Sequence, residues 1–318
     1  MTNSNNFSNL YKQKTENKIT REDYWTLIRS FLQELSNFAE LQEIFGNRIK
    51  VYKNQIIVEM KITKTHESFI KMVLDDQDIR SVPFSVLANG YYEPFQSDLL
   101  VELGKNSNHF LDIGSNMGFY SLALSAENPN LRVEAFEPQP KVFANLAANV
   151  DLNHFSAQIK LHNTGLGDEK DALTMYIPKF TGTGGGSFKN LHADEGEAIQ
   201  IKVPVNILDE VLKAQPDLIK IDVEGCEFNV ILGAEKIIQL AKPTIMVELL
   251  RKWMKPFGHT PQMFLARMFD ENYKCYAISA GFLVEIFEIN EDTLETNFIF
   301  VHGKQEKHNM ILNRYAKR

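Results

Sequence analysis

Only two cysteines, Cys226 and Cys275, occur in 318 residues. That is too few for a disulfide framework, and their spacing is not that of a zinc cluster. The scarcity predicts a reducing, cytoplasmic setting. No apolar run approaches the roughly 18 residues of a membrane-spanning helix, and Met1–Thr20 lacks the apolar core of a secretory signal. Basic residues are not in excess: 34 Lys and Arg stand against 41 Asp and Glu, a net charge of −7. This balance excludes a protein that coats nucleic acid with a basic surface, so no nucleic-acid partner is expected. The Asn/Asp-Pro-Pro-Tyr/Phe stretch that would clamp a flipped base is also missing. Internal repeats are absent as well. What is present is an ordinary globular composition, 44% apolar and 24% charged, long enough for one domain of about 200 residues plus an extension.

The polar segment 1–20 predicts a disordered leader. From Arg21 to Phe45, apolar residues recur at helical spacing, with Gly46 as the stop. A short hairpin around Lys53-Asn54 follows, and a helix over Gln96–Gly104 leads into the first core strand. Beyond residue 105 the chain alternates between strand and helix. Strands are expected at Phe110–Ile113, Leu131–Phe136, Ala157–Asn163, Leu218–Val223 and Thr244–Leu249. The intervening helices are Phe119–Ala126, Lys141–Val150, Ile207–Ala214 (capped by Asn206), Phe228–Leu240 and, after the fifth strand, Pro261–Asp270. Such alternation makes a mostly parallel sheet with helices on both faces. Ala172–Ile177 and Ile199–Val203 form a β-rich insertion around the Gly-rich loop Thr181–Ser187. Tyr273–Ile278, Phe282–Phe287 and Asn297–Val301 predict an antiparallel edge. Residues 303–318, basic and polar except for Met310-Ile311-Leu312, read as a solvated or weakly docked tail.

The organising stretch is His109 to Ser121. An apolar strand breaks at Asp112-Ile113-Gly114-Ser115-Asn116-Met117-Gly118 and resumes as a helix. Strand, glycine turn and helix open a nucleotide-type site, because glycine lets backbone and ligand approach and the helix start offers free N–H groups. The spacing is Asp-x-Gly-x-x-x-Gly, not the G-x-G-x-x-G of dinucleotide proteins. An acid there would repel a pyrophosphate and suit an amino group. Glu137 ends the second strand, where a carboxylate can hold a ribose diol. Asp222, Glu224 and Glu227 crowd the end of the fourth strand. Clustered carboxylates repel, which raises the pKa of one of them and suits it to general-base work. The same acids could ligate Mg²⁺, which prefers oxygen, but no metal is assigned. Glu248, at the end of the fifth strand, and His259 are further candidates at the site.

Asp112–Ser121, Glu137-Pro138-Gln139-Pro140, Gly165-Leu166-Gly167-Asp168 and Ile219-Lys220-Ile221-Asp222-Val223-Glu224-Gly225-Cys226-Glu227 together resemble the FkbM family of S-adenosylmethionine-dependent methyltransferases. The likeness covers about residues 90–290. It departs at Ser115, where the family usually has Ala. It implies a class I methyltransferase (Rossmann-like) α/β fold, a seven-stranded sheet with an antiparallel last pair, and O-methylation, often of sugars or polyketides. Asp112, Gly114, Asn116, Gly118 and Asp222 would hold the methionine part of S-adenosyl-L-methionine and Glu137 its ribose. Leu166 and Asp168 would lie beside the adenine, and Tyr92-Glu93-Pro94 matches a family position near the cofactor. Asp222 and Glu224 would face the transferred methyl as catalytic residues. The expected organisation is therefore a leader (1–20), an N-terminal helical and hairpin extension (21–90), a methyltransferase domain (91–302) and a tail (303–318). The expected acceptor is a small molecule or glycan. A dinucleotide-dependent oxidoreductase and a catalytically silent binding protein of the same fold are the rivals.

Overall fold

The computed structural model describes residues 10, 12–16, 18–35, 42–44, 46–52, 55–75, 78, 80–179, 185–193 and 196–317. The hairpin turn at 53–54 and the loop positions 181–184 lie outside them. Residues 12–15 are helical, and Leu10 and Ile19 pack against the core. The described part of the expected leader is therefore ordered: its sparse apolar residues find a docking surface that composition alone does not reveal. The Thr20 hydroxyl accepts from Asp23 N–H at 3.0 Å and opens helix α1 (Arg21–Leu35). Of the helix expected to reach Phe45, positions 36–41 lie outside the described residues, and Gln42–Ile44 is strand β1. It joins β2 (Asn47–Tyr52), β3 (Gln55–Lys61) and β4 (Phe69–Leu74) in an antiparallel sheet. Helices α2 (Val82–Asn89) and α3 (Pro94–Gly104) follow.

The core domain runs β5 (His109–Ile113), α4 (Phe119–Glu127), β6 (Arg132–Phe136), α5 (Pro140–Leu152), β7 (Ile159–His162), β8 (Gly165–Gly167), β9 (Asp171–Pro178), β10 (Ala198–Ile207) and α6 (Leu208–Val211). It continues through β11 (Leu218–Ile221), α7 (Glu227–Leu232), α8 (Glu235–Ala241), β12 (Thr244–Glu248), α9 (Arg251–Met254), α10 (Pro261–Asp270), β13 (Tyr273–Ile278), β14 (Leu283–Ile286), β15 (Asn297–His302) and α11 (Glu306–Tyr315). Among the described residues the main sheet has eight strands in the order β14-β13-β15-β12-β11-β5-β6-β7. The five strands β12 to β7 are mutually parallel, whereas β15 is antiparallel to both β12 and β13. The seven strands that the resemblance implies are thus present, and the edge strand expected at Phe282–Phe287 is β14, an eighth, antiparallel to β13. β8, β10 and β9 form a separate small sheet.

β5 is buried at all five positions because parallel neighbours flank it and both its faces are covered, which is why its sequence reads as a continuous apolar run. Phe110 packs into the core on the side of the N-terminal sheet, while Leu111 and Ile113 pack on the other side. This alternation follows the two-residue period of a strand. Deleting either side chain to Ala costs about 2–5 kcal/mol. After β7 the chain returns to place β11 on the far side of β5, so strand order reverses between β5 and β11. Open α/β sheets bind ligands in the crevice outside the strand ends at such a switch point.

Three smaller expectations change. Asn206 is not a helix cap; it lies in β10 and donates from Nδ2 to Thr164 Oγ1 at 2.9 Å. The single helix expected over Phe228–Leu240 is two, α7 and α8, separated at Gly233-Ala234. The tail is a docked helix, α11, with His308, Ile311 and Leu312 buried. His308 bonds Ser107 Oγ at 3.1 Å and Thr244 Oγ1 at 2.7 Å. No helix among the described residues is long and apolar enough to cross a membrane.

Candidate functional site

A cavity of about 210 Å³ opens where β5, β6, β11 and β12 end. The turn after β5 makes its floor. Gly114 has φ +77°, and a Cβ there would stand 1.8 Å from the Asp222 carbonyl oxygen. The two strand ends meet backbone to backbone, with Asp222 N–H donating to Ile113 O at 3.0 Å, so only glycine fits. Gly118, at φ +88°, begins α4, and a Cβ there would meet Leu146 Cδ1 at 2.4 Å. Between them Asn116 adopts φ +50°. Its side chain accepts from Met117 N–H at 2.7 Å, the local bond that makes left-handed Asn tolerable.

Asp112 is 1% exposed. Its Oδ2 accepts from Ser121 N–H at 3.1 Å and Ser121 Oγ at 2.7 Å, while Oδ1 is buried without a partner. Burial pushes this carboxyl up, and the nearby Lys220 ammonium opposes the shift. Glu137 accepts from Asn116 N–H at 3.0 Å and Gln139 N–H at 2.8 Å. It ties the β6 end to the glycine turn, and burial raises it to about 7.

The β11 end brings the remaining acids. Lys220, in register with Asp112 across β5 and β11, extends its ammonium to Asp222 Oδ2 at 2.9 Å. The Lys220 pKa is raised: although burial opposes its charge, Asp222, Asp112 and Glu93 together outweigh that penalty. Glu224 sits at φ +57° with Oε2 buried and unpartnered. Burial, then Asp222 and Glu248, hold it well above the usual carboxylate range. Glu248, at the β12 end, rises to about 8 through burial and the charges of Asp222 and Glu93. Six carboxylates, Glu93, Asp112, Glu137, Asp222, Glu224 and Glu248, line a cavity whose basic side chains are Arg80 and Lys220. Such a wall is matched to a ligand carrying positive charge.

The structure gathers Asp112, Gly114, Asn116, Glu137, Leu166, Asp222 and Glu224 around one cavity. Gly118 shapes the turn from behind. Asp168 lies elsewhere: it faces a neighbouring depression with Cys226 and Phe257, where its carboxylate accepts from Asn229 Nδ2 at 3.0 Å. Leu166, in β8, lines the cavity, whereas Asp168 lies past the end of that strand at Gly167, and the turn there carries it away. His259 packs on Phe228 at 4.8 Å and does not line the cavity. Glu227 is also outside the lining. It accepts from Gly225 N–H at 2.9 Å and stabilises the turn that presents Glu224.

Sequence reasoning missed Lys220, Arg80 and Trp253. Lys220 sits inside an apolar strand, and that incongruity was its available signal. Arg80 comes from the N-terminal extension, and nothing near it in sequence marks it. Tyr92 and Glu93 do line the cavity; Glu93, at φ +39°, accepts from Tyr120 OH at 2.5 Å. Among the described residues no group of three or more His, Cys, Asp or Glu is placed to hold a metal ion.

These features fit S-adenosylmethionine. An orphaned buried acceptor on Asp112, a backbone cradle at Gly114 that any Cβ would fill, and the acidic excess all answer to a ligand with ammonium and sulfonium charges.

Comparison with known proteins agrees with the geometry. A protein named Methyltransferase 1 from Beauveria bassiana is 26% identical over 154 residues, 41% of this chain and 59% of that protein's length. Methyltransferase sdnD from Sordaria araneosa is 29% identical over 187 residues, 49% of this chain and 71% of that protein. The chain thus spans about three fifths of the first relative. A crystal structure of the methyltransferase FkbM from Methylobacillus flagellatus KT is 17% identical, with a TM-score of 0.37, and the match covers 61% of this chain and 44% of that one. The methyltransferase FkbM domain family matches residues 112–275, about half of the chain, and the chain belongs to that family.

Proposed function

We propose that the chain is an S-adenosylmethionine-dependent methyltransferase acting on a hydroxyl of a sugar, glycan or other small molecule. The observation that carries this reading is the acidic cavity at the switch point, built around the buried, half-satisfied Asp112. When bound, the sulfonium supplies an already activated methyl group, so no redox partner is needed. Asp112, Gly114, Asn116 and Asp222 would hold the methionine part and Gly118 the start of the adjoining helix. Glu137 retains acceptor capacity for the ribose hydroxyls, and Leu166 offers an apolar face to the adenine.

Glu224 is the favoured base. Its Oε2 is buried without a hydrogen bond, and burial with the charge of Asp222 makes its carboxylate a stronger base than a free one. Asp222 is held in orientation by Lys220 at 2.9 Å and raises Glu224 by repulsion. Tyr92 and Trp253 form aromatic walls of the cavity on which the apolar face of a sugar ring can rest. Alignment supplies much of the rate, and the base contributes about 10²–10⁴-fold.

Calorimetric titration with S-adenosylmethionine, S-adenosylhomocysteine and NAD tests the reading. Binding of the first two, weakened in Asp112→Asn and absent for NAD, supports it. Binding of NAD alone would establish the oxidoreductase reading instead, and binding of none would favour the silent scaffold.

A further inference from the structure

β4 ends the N-terminal sheet, and its outer edge is met by a helix, not by another strand. Asn153, which caps the C-terminus of α5, reads that edge as a strand would: its Oδ1 accepts from Lys71 N–H at 2.8 Å and its Nδ2 donates to Lys71 O at 2.7 Å. Two residues along β4 and one helical turn back along α5, Asn149 accepts from Val73 N–H at 2.7 Å. It does not return the bond to β4. Its Nδ2 donates instead to the carbonyl of Met117 at 2.9 Å, inside the glycine turn between Asn116 and Gly118. Asn149 is fully buried, so both bonds are shielded from water, and an unmade one would leave a desolvated polar group.

The same extension supplies the cavity wall. Arg80 and Val82 follow β4 directly, and Tyr92 and Glu93 stand between α2 and α3. Docking of the N-terminal sheet and completion of the cavity are therefore joined through one amide.

We infer that Asn149 is a positioning residue that couples docking of the N-terminal sheet to the conformation of the cofactor turn, so that S-adenosylhomocysteine binding and order along β4 strengthen each other. The inference rests on the cofactor assignment proposed above. The coupling is reciprocal by thermodynamic necessity: if the docked sheet favours the binding-competent turn, the bound ligand must favour the docked sheet by the same factor.

The test compares two variants of the full chain. Asn149→Asp keeps an acceptor for Val73 N–H but removes the donor to Met117. Asn153→Ala removes two bonds to β4 and leaves the turn alone. Titration with S-adenosylhomocysteine and hydrogen exchange at the Val73 amide are read in each, with thermal unfolding as the measure of general damage. The expected result is binding weakened about tenfold or more in Asn149→Asp, with ligand-induced protection of Val73 lost. Asn153→Ala should bind within about threefold of the unmodified chain and keep that protection. Equal weakening in both variants, or unchanged binding in Asn149→Asp, overturns the coupling. If Asn149→Asp does not fold, the unmodified chain decides: slower Val73 exchange on binding, beyond that of β2 amides, supports the inference, and no difference overturns it. An unmodified chain that binds no S-adenosylhomocysteine overturns the cofactor reading itself, and the coupling with it.

Discussion

Lys220 and Asp222, two residues apart on one strand end, face the same way, with the ammonium 2.9 Å from Oδ2. Lys220 is 8% exposed, stacks over the Tyr120 ring at 5.0 Å and neutralises acids contributed by three different segments. Replacing it with Met would strand Asp112 and Glu93 as buried, uncompensated carboxyls. Lys220→Met should lose about 3 kcal/mol in urea unfolding, near the low end for an orphaned buried charge because Asp222 keeps 32% of its side chain in solvent. Adding Asp222→Asn should recover part of that loss; no recovery would show that the two residues do not interact energetically.

Gly114→Ala places a methyl group against the Asp222 carbonyl, and the +77° φ strains any side chain. The turn must shift to accept it. We expect S-adenosylhomocysteine affinity to fall by about 100-fold, a displacement well within reach of the 1–3 kcal/mol per strained residue. Retained affinity with a normal melting temperature would show that the turn is not the cofactor floor.

Glu224→Gln should reduce turnover on an identified acceptor by about 10²–10⁴-fold while leaving S-adenosylhomocysteine affinity within a few-fold. Asp222→Asn should weaken both, since Asp222 lines the cavity and its charge raises Glu224. Full turnover in both variants would sink the carboxylate-base assignment.

The raised carboxyls set a pH signature. Glu137 and Glu227 rise to about 7 and Glu248 to about 8, above the roughly 4.3 of a free glutamate. Between pH 5 and 8 the folded, ligand-free chain therefore holds protons that the unfolded chain has released, and its stability falls as pH rises through this window. A cationic ligand reverses the preference, because it favours the ionised acids. Affinity for S-adenosylmethionine should climb from pH 6 to 8 with proton release, seen as buffer-dependent heats in calorimetry. S-adenosylhomocysteine, which lacks the sulfonium charge, should show a shallower rise. A flat profile for both would mean that these acids do not sense the ligand.

Asp168→Ala should leave cofactor affinity unchanged within about twofold, because the side chain bonds Asn229 outside the cavity. A tenfold loss would restore it to the adenine site.

Much of this was legible before any coordinates. The apolar runs of β5, β11 and β12 announce buried parallel strands, and helix α10 begins where Thr260 and Pro261 say it should, with Thr260 Oγ1 accepting from Met263 N–H at 3.3 Å. Asp112, Gly114 and Glu137 were legible because a ligand-facing strand end needs particular residue types close together in sequence. Arg80 and Asn149 were not. Their importance comes from contacts across 144 and 76 positions, to Glu224 and Val73, and no local pattern encodes a partner that far away. Helix α11 escaped notice for a related reason. Its buried face is only three residues wide and acquires meaning from Ser107 and Thr244, both distant in the chain.

Past α11 the backbone turns onto the rim of the main sheet: Ala316 bridges to Leu283, and Lys317 N–H donates to Leu283 O at 2.8 Å. β14, the edge strand beyond the seven of the family pattern, would otherwise present a free row of amides and carbonyls. Rims of that kind are templates on which other chains add strands and on which aggregates grow. Residues 316 and 317 work here as a selvedge, finishing the woven edge at Leu283.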